Sequence, residues 1–195
     1  MPILHATPGC LESIVAYRRS TGAGRLDECW EGVWHLTDPT SRHQQAAFRI
    51  SRVHAEAVED AGRGTAWISI NVTDRAEKWI DNHRCPDGAV ILNGNSGRWV
   101  GENKVAFLGG PDLILEVASE GDDSYLKFSF YQALGAREIL IVDAVTGEPE
   151  LWRLGAGGYV EVTGILLSEV TGLEYRRGEE GLEIRDPTSR KVWKI

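Results

Sequence analysis

Residues 111–144 read PDLILEVASEGDDSYLKFSFYQALGAREILIVDA, and this stretch decides the fold. Leu113, Ile114, Leu115 and Val117 form an apolar run of strand length. Asp123 is a good N-cap, so a helix is predicted over residues 124–134, with Gly135 placed to end it. Glu138 to Val142 is continuously apolar after its first residue, as a central strand is. Strand, helix, strand in this order fits parallel neighbours joined by a right-handed crossover. One residue conflicts with the pattern: Glu116 stands inside the first apolar run.

Upstream, Pro86-Asp87-Gly88 opens a strand at residues 89–93, AVILN, and residues 65–72, TAWISINV, form another with Trp67 in the core. Ser41 with Gln44 is a capping-box pattern, and Ala46, Ala47, Ile50, Val53 and Ala57 recur at helical spacing until Gly62 and Gly64. Residues 31–36, EGVWHL, read as a strand stopped by Pro39, and Leu11, Ile14 and Val15 suggest a short helix. Residues 74–84 are polar and ambiguous, and residues 93–101 carry turn chemistry. Downstream, Thr146-Gly147 turns into a strand at 150–154, a second follows at 159–162, and short strands fill the rest. The expected fold is α/β: a mixed β-sheet core flanked by helices, with extra β-hairpins toward the C-terminus, in one domain over residues 1–195.

The chain has 195 residues, 21 Lys plus Arg against 29 Asp plus Glu, and a formal charge of −8. That charge repels nucleic acid at long range, while leaving room for a locally basic groove or for an acid cluster that binds a dication. No run is long and apolar enough for a transmembrane helix, and MPILHATPGC lacks signal-peptide character, so no membrane partner is expected. Cys10, Cys29 and Cys85 make no CxxC pair, which argues against a zinc site and suits a reducing cytoplasm.

A buried carboxylate must be paired, protonated or bound to a cation. Glu116 admits a structural ion pair with Lys127 or an arginine. It also admits a shared site with Asp87, if the two lie on neighbouring strands. Two carboxylates and a backbone carbonyl make an oxygen site suited to magnesium (Mg2+) or manganese (Mn2+), and the Lys127 stem is long enough to reach it.

The order Pro86-Asp87, Glu116-Val-Ala-Ser119, Asp123-x-x-x-Lys127, Tyr131, Gly135 and Asp143 resembles the Uma-type restriction endonuclease family, within the PD-(D/E)XK nuclease superfamily. The likeness reaches back to Glu31-Gly32 and to PTSRHQQ with His43, so it spans roughly residues 30 to 162, the expected nuclease core. It implies Asp87, Glu116 and the Val117 carbonyl as metal ligands, and Asp87, Glu116 and Lys127 as catalytic residues. Lys127 takes the place of a motif lysine, because Ala118 stands two residues after the acid. His43, Ser119, Asp123 and Tyr131 are candidate wall or supporting residues, Asp123 fitting an N-cap best. Glu120-Gly121 replaces the proline usual after this serine, and Leu140 stands where a tryptophan is common. The resemblance implies a Mg2+-dependent endonuclease acting on nucleic acid, DNA first, as a homodimer. The alternative is an inactive nuclease fold used for binding or dimerisation.

Overall fold

The computed structural model describes residues 8–119 and 121–195. The N-terminal seven residues and Glu120 lie outside it, and with them the reading of the N-terminal leader and part of the Glu120-Gly121 loop. Among the described residues no helix is long and apolar enough to cross a membrane.

A six-stranded mixed sheet forms the centre, in the order Gly158–Glu161, Pro149–Gly155, Glu138–Asp143, Leu113–Ala118, Gly88–Leu92, Gly64–Ile68. The Leu113 and Glu138 strands are parallel, with Glu116 opposite Ile141, and the others pair antiparallel. Alternation splits the Leu113 strand between two faces. Leu113, Leu115 and Val117 pack with Ile50, Val53 and Val58 of one helix. Ile114 packs with Tyr131 on the other side. Glu116 shares that second face and lies beside Tyr131.

Among the described residues there are three α-helices, α1 (Pro8–Thr21), α2 (Ser41–Val58) and α3 (Phe128–Leu134), of which α2 and α3 pack on opposite faces of this sheet. In α2 the buried residues Ala47, Ile50, His54 and Val58 recur every three or four positions, with Ser51 and Val53 beside them, giving the buried stripe that seats it on the sheet. Its cap is Thr40, whose Oγ accepts the His43 N–H, one residue before the predicted Ser41. Ser51 presses on the strand opening at Gly88, where an added Cβ would come within 2.8 Å of Ser51 Oγ. A side chain here would displace the Ser51 hydroxyl.

A second six-stranded sheet runs Val33–His35, Glu28–Trp30, His83–Arg84, Asn71–Thr73, Ala106–Leu108, Arg98–Val100. It corrects several expectations. Residues 31–36 are not one strand: Glu31 and Gly32 have φ of 48° and 85° and turn a hairpin between Trp30 and Val33. Residues 65–72 divide at Ser69, φ 52°, into one strand for each sheet. Trp67, expected in the core, is 37% exposed against Trp99. The turn-like residues 93–101 hold the short strand Arg98–Val100. Arg18 at the end of α1 grips Asp27 through two nitrogens at 2.8 and 2.7 Å, fixing the entry to the hairpin.

A four-stranded antiparallel sheet closes the chain: Leu166–Leu167, Glu174–Arg177, Leu182–Arg185, Val192–Lys194. Its Tyr175, Leu182 and Ile184 join the core under α2, and His54 of α2 meets the Tyr175 hydroxyl at 2.9 Å.

Candidate active site

The antiparallel ladder between Gly88–Leu92 and Leu113–Ala118 has Gly88 opposite Leu115. One step further, Asp87 and Glu116 come together at the strand ends. Asp87 Oδ2 accepts the Val117 N–H at 2.7 Å and lies 3.2 Å from His43 Nε2. In an extended strand a residue's N–H and C=O leave on the same side, so the Val117 carbonyl is directed toward Asp87. Asp87 and Glu116 both line one cleft of about 190 Å³, together with His43, Ser119, Asp123 and Lys127.

Lys127 ends a 3-10 turn, Ser124–Lys127, that leads into α3. The turn is capped by Asp122, whose carboxylate accepts the Ser124 N–H at 2.7 Å and pairs with its hydroxyl. Asp123, the expected cap, makes no capping bond and instead stands 3.5 Å from His35 Nδ1. With two adjacent aspartates, the sequence alone favoured the one next to the helix. A 3-10 first turn moves the better reach back by one residue.

The Lys127 ammonium bridges two carboxylates, Glu116 at 3.1 Å and Glu28 at 2.9 Å. Tyr131 donates its hydroxyl to Glu116 at 2.6 Å. Glu28 was not singled out from the sequence. Its strand has three residues, too few for a period to show, and its only signal was an acid beside Cys29 and Trp30. It also accepts the Cys85 N–H at 2.8 Å and the Trp30 indole N–H at 2.6 Å.

Glu28 and Glu116 are each 3% exposed, and one lysine serves both. Burial works against the Glu28 charge, but Lys127, the Cys85 amide and Trp30 outweigh it and hold this carboxyl below the usual range. Glu116 takes the remaining cost. Burial, then the charges of Asp87 and Glu28, push it up to about 8 against the pull of Lys127. Burial opposes the Lys127 charge as well, yet Glu116 and Glu28 raise it, so it stays a cation. His43 loses to burial and gains more from Asp87, ending above its ordinary value, with Nδ1 buried and unpartnered.

The cluster is therefore short of positive charge. Among the described residues no group of three or more His, Cys, Asp or Glu forms a ready metal cage. What is present is a pair of cleft carboxylates, Asp87 and Glu116, the second of them under-compensated.

A family model described as "Putative restriction endonuclease", Uma2, matches residues 19–184. The chain belongs to the Uma2 family. Its fold is also similar to the crystal structure of "a putative nuclease belonging to DUF820" from Anabaena variabilis, with a TM-score of 0.56 and 17% identity over 72% of this chain and 78% of that one. At that identity the likeness concerns the fold. The search of curated proteins gave no match. The Uma2 match includes Glu28 as well as Asp87, Glu116 and Lys127.

Proposed function

We propose that this Uma2 protein is a metal-dependent endonuclease that hydrolyses phosphodiester bonds, with DNA as the first substrate to test. The observation that carries the reading is the shortfall of positive charge around Glu28, Asp87 and Glu116. Asp87, Glu116 and the Val117 carbonyl would hold Mg2+ or Mn2+. When bound, such a cation lowers the pKa of water and neutralises charge on the phosphate.

The chain's own groups divide the remaining work. Lys127, kept charged by two carboxylates, acts as a fixed cation that orients the attacking water and stabilises charge developing on the phosphate. Its raised pKa makes it a poor base. Glu28 would hold Lys127 in place while Glu116 serves the cation. Tyr131 fixes the Glu116 carboxylate through the 2.6 Å bond, and His43 orients Asp87. Ser119 and Asp123 form cleft wall. Cutting both strands of a duplex calls for two copies, so we expect a homodimer by family analogy.

One observation favours a second reading, an inactive nuclease fold: Glu116 is already satisfied by Lys127 and Tyr131. Calorimetric titration of Mn2+ into wild type and Glu116→Ala separates the two. Binding in wild type that is lost in the variant supports the nuclease. A folded wild type that neither binds Mn2+ nor cuts DNA in its presence leaves the inactive fold.

A further inference from the structure

The cleft wall is lined by six carboxylates: Glu28, Asp38, Asp87, Glu116, Asp122 and Asp123. Against them stand Lys127, His35 and His43. Such a wall disfavours backbone phosphates everywhere except beside a bound dication. A neutral part of a nucleotide meets no such penalty.

One side of the same cleft is aromatic. Trp30 and His35, from facing strands of the hairpin, stack with ring centroids 3.9 Å apart and planes 19° apart. The Arg84 guanidinium lies over the Trp30 ring at 4.5 Å and over Phe130 at 4.1 Å. Arg84 is buried and donates to the carbonyls of Cys29 and His83 and to Asn82 Oδ1. The Trp30 indole N–H is held by Glu28, and His35 by Asp123. Burial keeps His35 below its ordinary pKa, which favours the neutral ring. The rings are thus fixed from behind before any ligand arrives, and both line the cleft.

We propose that the outer face of His35, backed by Trp30, is a stacking platform for one unpaired nucleobase, so that the cleft accepts a nucleotide lying outside a duplex. This rests on the nuclease reading and names its substrate class. In a duplex both faces of a base are covered by its neighbours, so a ring in this cleft can stack only on a base that has left the helix. Bases stack on aromatic side chains without regard to sequence, because every base has a π-face.

The test uses the full chain with Ca2+ as the dication and fluorescence anisotropy as the readout. The probes are a labelled oligothymidine, a fully paired duplex of equal length, and the same duplex with one central unpaired thymine. The single strand and the bulged duplex are expected to bind about tenfold more tightly than the paired one. His35→Ala is expected to weaken those two by roughly 5- to 100-fold, the usual range for losing one stacking ring, and to leave the paired duplex unchanged. His35→Phe should restore them. Equal binding of all three probes, or indifference to His35→Ala, overturns the platform and leaves the nuclease standing. If none of the probes binds while the protein remains folded, both fall.

Discussion

Glu116→Gln should flatten the pH dependence of stability between about pH 4.5 and 8. The folded protein keeps a proton on Glu116 up to about pH 8, whereas the unfolded chain releases it near 4.5. The folded state then binds more protons, so unfolding free energy falls as pH rises through this window. The Glu116 contribution is intact below pH 4.5 and gone above pH 8. A shift of 3.5 pH units corresponds to about 5 kcal/mol at 1.36 kcal/mol per unit, an upper figure for a group that shares its lysine. Other groups titrate nearby. His43, raised by Asp87, loses its contribution as pH climbs, while His35 and His83, lowered first of all by burial, lose theirs as pH falls. Glu28, lowered, acts below 4.5. The difference between wild type and Glu116→Gln removes the contributions of His35 and His83, and Glu116 stands last among the causes that raise His43. The assay is urea unfolding of both proteins at half-unit pH steps in EDTA. The variant should gain on wild type by more than 2 kcal/mol from pH 5 to pH 8. Parallel curves would refute the uncompensated carboxylate and, with it, the electrostatic case for a metal.

Lys127→Met leaves two buried carboxylates without their cation. A loss of about 3–5 kcal/mol by chemical denaturation is expected, together with loss of DNA cleavage, and Lys127→Met/Glu28→Gln should recover part of the stability but none of the cleavage. Tyr131→Phe removes one buried hydrogen bond to Glu116 and should cost about 1–2 kcal/mol, read as a shift in the urea midpoint. Glu138→Ala strips the partners of Arg153, Ser168 and the Glu169 N–H, so about 3 kcal/mol or more should go, and amides at 168–171 should exchange faster with solvent.

The central sheet was legible because its strands are long enough to show a pattern. Leu113–Ala118 and Glu138–Asp143 have six residues each, and an acid in the first stands out. Asp87 and Lys127 followed from that one anomaly, since one precedes the adjoining strand and the other lies on the crossover. The second sheet was largely illegible. Its strands have two or three residues, below the length at which alternation can be recognised. Glu28, Trp30 and His35 were lost with it, although they complete the cleft. Cap errors at Ser41 and Asp123 were slips of one position among adjacent polar residues, where local chemistry is nearly degenerate and backbone geometry decides.

Lys127 joins Glu28 of the hairpin sheet to Glu116 of the central sheet. The residue proposed to act on the phosphate is thus also the tie between two layers of the molecule. Replacing it is expected to harm folding as well as cleavage. A descendant that gave up cleavage by losing the lysine would inherit two stranded acids, one in each layer. It could persist only by changing position 28 or 116 as well. Abandonment of the chemistry would therefore be written in the sequence as a paired substitution, visible in positions 28, 116 and 127 without any assay.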